Sequence, residues 1–225
     1  MKIAIFYHIA QMGMSAFIYQ QQIHRLYTSG LIEAADYIHF GVNGDQELFN
    51  VPNKAKVVRN KIITEETETL MDIRDFCIEN PEHKILYFHT KGASKNTINP
   101  QSIRLMMEYF VIDNWKECVK YLNEYDCVGQ YWVINGDTLW SDGSVTQNAE
   151  NIGHYYGNFW WANASYIQKL NDNYLESPYR FDREFWIGTG KNYKQKSLDE
   201  KSDRFPSGID WNNDYYFSEK DYIKS

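Results

Sequence analysis

Cysteine, basic residues and long apolar runs are scarce in this sequence, and each scarcity excludes something. Only Cys77, Cys118 and Cys127 occur in 225 residues. An odd number without a CxxC pair builds neither a disulfide framework nor a zinc knuckle, so they read as reduced core thiols in a cytoplasmic setting. No run of about 18 apolar residues occurs. The short apolar stretch after Met1 has no basic segment before it and no small-residue cleavage site, so neither a membrane span nor a targeting segment is expected. Lys and Arg number 23 against 30 Asp and Glu, a formal charge of −7. Such a surface repels phosphate backbones, and nucleic acid is not an expected partner. No GxxxxGK[ST], GxSxG or HExxH occurs, and Gly188-Thr189-Gly190 lacks the third glycine and the preceding strand of a dinucleotide fingerprint. Nucleotide hydrolysis and triad hydrolysis lose ground accordingly.

Aromatic side chains are plentiful, at 16% of residues with 18 Tyr and 7 Trp. They fill a core and half-buried surfaces, or they line a groove that stacks sugar rings or a nucleobase. A chain of this length buries roughly 70% of its unfolded surface, enough for one substantial core.

The pattern along the chain alternates strands and helices. Lys2 to Tyr7 is a continuous apolar run, the mark of a strand buried on both faces. Ser15 caps a helix that Gly30 stops. Tyr37 to Val42 is a strand closed by the turn Asn43-Gly44, and Lys56 to Arg59 a short one at the sheet edge. Thr64 caps a helix that carries Glu65 and Glu66 in its first turn and ends before Pro81. Lys84 to Phe88 forms the next strand. From Pro100 one amphipathic helix carries Ile103, Met106, Met107, Phe110, Val111, Cys118, Val119 and Leu122 on a single stripe. Asp126 to Tyr131 is a strand leading into a turn-rich excursion, and the aromatic tail after Asp203 wraps the domain or closes the site.

The expected fold is therefore α/β: a single Rossmann-like domain over 1–225 whose mostly parallel sheet has helices on both faces. Residues 1–130 are expected to form a nucleotide-sugar-binding half, and 131–225 an acceptor and sugar half with the aromatic tail. In such sheets ligands bind outside the carboxyl ends of the strands, so His8, Asn43-Gly44 and His89 to Gly92 should gather at one edge.

Four segments carry candidate chemistry. His89-Thr90-Lys91-Gly92 ends a buried strand with donors, a cation and a permissive backbone, which suits a diphosphate; the plain reading is an ordinary strand exit. In His154 to Trp161, Gly157 allows close approach and Asn158 offers both donor and acceptor, in an expected strand–turn–helix; as adjacent strand residues, Trp160 and Trp161 also read as packing on opposite faces. Asp182 and Glu184 are carboxylates among aromatics, candidate general bases, or else partners of Arg180 and Arg183. Asp137 and Asp142 are a candidate divalent-ion pair, or ordinary turn residues.

Taken together, Tyr7 to Gly13, Ser29-Gly30-Leu31, Val42-Asn43-Gly44, Phe88 to Gly92 and Gly157 to Ala162 resemble glycosyltransferases of the GT-A type, specifically the small glycosyltransferase-like proteins of bacteria and large DNA viruses. The resemblance implies transfer of a hexosyl or deoxyhexosyl group from a nucleotide diphosphate sugar to a glycan hydroxyl, with inversion where a base lies opposite the leaving group. His8, Gln11, Gly13, Asn43, Gly44, His89, Thr90, Lys91 and Gly92 would hold the donor. Asp137, His154, Asn158, Trp160 and Trp161 would meet sugar and acceptor, and Glu184 or Asp182 would be the base. The family's usual Asp-x-Asp, which binds Mn²⁺ or Mg²⁺, is replaced by His89-Thr90-Lys91. Either Lys91 and His89 supply the metal's charge, the favoured reading, or other acids hold a cation, or catalysis is lost. The alternative is a non-catalytic sugar- or nucleotide-binding module on a degenerate scaffold.

Overall fold

The computed structural model describes residues 1–60, 66–94, 98–134, 152–179 and 181–198, without the side chains of 98–100. In chain order its elements are β1 (Lys2–Ala10), α1 (Ser15–Thr28), α2 (Leu31–Ala34), β2 (Tyr37–Asn43), β3 (Ala55–Arg59), α3 (Thr67–Glu79), β4 (His83–His89), α4 (Ile98–Glu108), α5 (Trp115–Tyr121), β5 (Cys127–Gly129), β6 (Trp132–Ile134), β7 (Gly153–Tyr155), β8 (Trp160–Asn163), α6 (Ala164–Ile167), α7 (Asn173–Glu176), α8 (Asp182–Phe185) and β9 (Gln195–Ser197).

The apolar run at the start becomes the central strand of the sheet. Residues Ile3 to Ile9 of β1 are all buried. Odd positions Ile3, Ile5, Tyr7 and Ile9 pack on one side, with Leu86, Phe88, Leu26, Met107 and Val111. Even positions Ala4 and Phe6 pack on the other, with Leu70, Ile73, Tyr87 and Ile167. Strand alternation thus splits one continuous run between two cores, each covered by helices.

Seven strands pair in the order β3-β2-β1-β4-β8-β5-β9. All run parallel except β8, which is antiparallel to both β4 and β5. β3 lies at one edge as its charge flanks predict. The chain winds outward from β1 through β2 to β3, then returns to place β4 on the other flank of β1. That reversal of winding opens a crevice at the carboxyl ends of β1 and β4. The α/β architecture read from the sequence is the one observed.

Local differences have physical causes. Ser15 is the first helical residue rather than the cap; the start of α1 is instead tied by Met14 N–H donating to the Ala93 carbonyl at 2.9 Å. Thr64 lies outside the described residues, and Glu66 holds the N-cap position of α3. The long helix expected from Pro100 is broken. Tyr109–Asp113 forms a π-helical turn, where Asn114 donates from both its backbone N (3.1 Å) and its Nδ2 (2.8 Å) to the Tyr109 carbonyl, before α5 starts afresh. Segment 154–161 is not a strand–turn–helix. Residues 156–159 link β7 of a small two-stranded sheet (β6-β7) to β8 of the large one, and α6 follows only then. The excursion between β6 and β7, with Asp137 and Asp142, lies outside the described residues, as do Arg180 and the tail from 199.

Candidate functional site at the strand ends

β1 and β4 run in register with His8 opposite His89. Beyond them the two chain exits interlock. Ala10 N–H donates to Thr90 Oγ1 at 3.0 Å, and Thr90 N–H donates to the His8 carbonyl at 3.1 Å. Gly13 sits at φ +47°, and a Cβ there would stand 2.2 Å from the Ala93 carbonyl oxygen. Glycine is required because only it allows both that backbone angle and that approach.

The residues expected to hold a donor divide by exposure. His8 is 3% exposed, with Nδ1 2.9 Å from Thr69 Oγ1. Burial, aided by the charge of His89, pushes its imidazole down to about 3, so it is neutral and shapes the edge from beneath. Asn43 is buried too, its Oδ1 accepting from Asn60 Nδ2 at 2.7 Å. The Thr90 hydroxyl is taken by Ala10. Gln11 and Gly44 belong to a latch that sequence reading missed. Arg59 donates to the Gly44 and Gln46 carbonyls, each at 2.7 Å, and to Gln11 Oε1 at 3.2 Å. Gln11 meanwhile donates to the Gln46 carbonyl at 2.7 Å. Arg59 was legible only as the charged end of an edge strand.

Lys91 and His89 stand where β4 ends. His89 Nε2 is 2.9 Å from the Gly157 carbonyl, and its ring meets Phe159 edge-on with centroids 5.1 Å apart. The Lys91 ammonium lies 5.9 Å from the centre of the Tyr156 ring. Gly92 follows with φ +80°. The two segments nominated from the sequence, 89–92 and 154–161, therefore meet.

From the far side, α8 packs its Phe185 ring against His154, with centroids 4.6 Å apart. His154 is buried, and its Nδ1 has no hydrogen-bond partner. Burial lowers its pKa, Lys91 lowers it further, and Glu184 opposes both. Glu184 also helps push the Tyr156 hydroxyl up to about 12, where burial is the larger cause. Glu184, His154, Tyr156 and Lys91 thus form one electrostatic neighbourhood. Asp182 does not join it: it is 2% exposed and accepts from the Ser177 hydroxyl, a local tie at the start of α8. Gln130, just past β5, is fully buried, and neither of its amide atoms has a partner among the described residues.

Asn158 is spent within the protein. Its Nδ2 donates to Glu66 Oε1 at 2.8 Å, and its Oδ1 accepts from Trp160 Nε1 at 2.8 Å. Glu66 also accepts from the Tyr87 hydroxyl at 2.5 Å. The sequence marked Glu66 only as a helix-start acid. Trp160 and Trp161 are fully buried, in opposite cores, and Trp161 Nε1 donates to the Val111 carbonyl at 2.8 Å. Neither indole has a face to offer, so the sugar-stacking expectation for this pair is corrected to packing. Among the described residues no group of three or more His, Cys, Asp or Glu could hold a metal, and no helix is long and apolar enough to cross a membrane. Two hollows, of about 530 and 440 Å³, lie along α1. The larger is lined by Arg25, whose guanidinium already meets Glu108 at 3.3 Å and Asp113.

No curated protein matches the chain. Among solved structures it is similar to the bifunctional IspDF from Campylobacter jejuni, at 7% identity and a TM-score of 0.45 over 98% of this chain and 53% of that one. It is also similar to a 4-diphosphocytidyl-2C-methyl-D-erythritol synthase, at 9% identity and a TM-score of 0.40 over 99% and 96% of the two chains. The chain spans about half the length of the first of these. Neither of these two structures is a glycosyltransferase, and the expectation of glycosyl transfer from a nucleotide sugar to a glycan is withdrawn. Residues 18–186, three quarters of the sequence, match the family described as Domain of unknown function (DUF8361), and the chain belongs to that family.

Proposed function

We propose that this chain binds the phosphate groups of a nucleotide at the carboxyl ends of β1 and β4 and acts on that ligand as an enzyme. One observation carries the reading: Lys91 leaves β4 where the winding of the sheet reverses, flanked by main-chain turns at Gly13 and Gly92 with positive φ. A cation beside close-lying backbone N–H groups is the arrangement an anion needs. Among the described residues Lys91 makes no ion pair, and its ammonium lies 5.9 Å from the centre of the Tyr156 ring. The enzyme half of the reading is supported by Glu184 and the partnerless His154 nitrogen beside Lys91, a carboxylate and an imidazole at the same cleft.

Thermal shift and calorimetry with nucleoside mono-, di- and triphosphates, the parent nucleosides and inorganic pyrophosphate, with and without Mg²⁺, test binding. Phosphorylated ligands should stabilise the protein and nucleosides should not, and Lys91→Ala should weaken binding at least about tenfold, the equivalent of one charge-assisted contact. A panel without any stabilising phosphate would remove the proposal. Turnover is read by ³¹P NMR of the bound nucleotide; Glu184→Gln should slow it while leaving affinity intact, and unchanged turnover takes Glu184 out of the chemistry.

A further inference from the structure

The cleft is bordered by a turn that carries two left-handed residues in succession. They are Gly157 (φ +77°) and Asn158 (φ +59°), the two residue types that accept positive φ most readily, so the turn's shape is local. Its position is set by a buried polar network reaching across three elements. Asn158 N–H donates to the Tyr155 carbonyl at 3.0 Å, its Nδ2 to Glu66 at 2.8 Å, and its Oδ1 accepts from Trp160 at 2.8 Å. Glu66 comes from the start of α3 and is held in turn by the Tyr87 hydroxyl from β4 at 2.5 Å. Burial and the neighbouring Glu66 push that phenol well above its ordinary range, so it remains a donor. Glu66, Tyr87 and Asn158 are all buried, and the low dielectric around them strengthens these bonds.

The other side of the same turn faces His89. The Gly157 carbonyl lies 2.9 Å from His89 Nε2. A carbonyl only accepts, so Nε2 must carry the hydrogen. Moving the turn would remove an acceptor that favours this tautomer.

We infer that Glu66 is a positioning residue for the ligand cleft: through Asn158 it holds the Gly157 carbonyl against His89, fixing the imidazole as its Nε2–H tautomer beside Lys91. The consequence for binding rests on the anion-binding reading above, whereas the tautomer is a property of the protein alone, so the two can fail separately.

The test uses the full chain. Asn158→Gly keeps a residue that tolerates positive φ and removes the amide that joins Glu66 and Trp160. Glu66→Ala breaks the network from the other end, and Glu66→Gln keeps an acceptor for Asn158. Imidazole ¹⁵N shifts of His89, assigned by their loss in His89→Gln, report the tautomer without ligand. The wild type and Glu66→Gln should show Nε2–H when neutral, and Asn158→Gly and Glu66→Ala a mixture of tautomers. Affinity for inorganic pyrophosphate should fall about tenfold in the two disrupted variants and stay near wild type in Glu66→Gln. A His89 tautomer unchanged in whichever of Asn158→Gly and Glu66→Ala folds overturns the inference, whatever the affinities do. A tautomer change in a protein whose wild type binds no pyrophosphate upholds the positioning role and overturns the anion reading instead.

Discussion

His8 and His89 face each other across the β1–β4 pairing, yet their surroundings differ. His8 is sealed beneath the sheet edge against Thr69, while His89 reaches the turn that carries Gly157. One histidine supports the cleft and the other borders it.

The buried His8 makes stability depend on acid in a defined direction. Its folded pKa, about 3, lies below the unfolded value of 6.5. Between those values the unfolded chain binds the extra proton, so stability is full above about pH 6.5 and falls as pH drops toward 3. The slope should approach 1.4 kcal/mol per pH unit near the middle of that window. Urea unfolding from pH 7 to pH 4 should show it, and His8→Asn should flatten it. His154, also lowered, adds a weaker slope of the same sign. An equal acid slope in His8→Asn would assign the loss to other groups.

Gly13 and Gly30 both have positive φ, but only Gly13 is crowded: an added Cβ meets the Ala93 carbonyl oxygen at 2.2 Å, whereas at Gly30 nothing lies within 4 Å. Gly30→Ala should cost about 1–2 kcal/mol from its backbone angle alone. Gly13→Ala should cost more and loosen the Met14 to Ala93 hydrogen bond. Melting temperatures compare them, at roughly 2–4 °C per kcal/mol for a chain of this size; equal shifts would refute the crowding argument.

Trp161→Ala should destabilise the fold by about 3–5 kcal/mol, because it opens a cavity and leaves the Val111 carbonyl unpaired. Denaturant unfolding gives the cost. Pyrophosphate affinity of the fraction that stays folded should match wild type, since the indole is buried away from the cleft; a selective loss of affinity would restore a ligand role to this tryptophan.

All three cysteines should resist a thiol reagent in the native protein. Cys77, Cys118 and Cys127 are fully buried, and burial pushes each thiol up, Cys77 and Cys127 to about 12. Three equivalents should react after denaturation. Rapid labelling of the native protein would contradict the packing at those positions.

Much of this molecule follows from local pattern. The apolar run from Lys2 to Tyr7 reads as a strand buried on both faces, and its alternation with helical segments further along the chain points to a mostly parallel sheet with a ligand-binding edge. So Lys91 and His89 could be placed at that edge without coordinates. Partnership across the chain was not legible. Glu66 and Asn158 are 92 positions apart, Arg59 and Gln11 are 48 apart, and nothing in either local sequence specifies the other. Likewise Trp160 and Trp161 read as sugar- or acceptor-binding residues or, by preference, as packing on opposite faces of a strand. The two cores decide for packing: β4 and β5 take the edges of β8, and the cores above and below cover both of its faces and bury both rings.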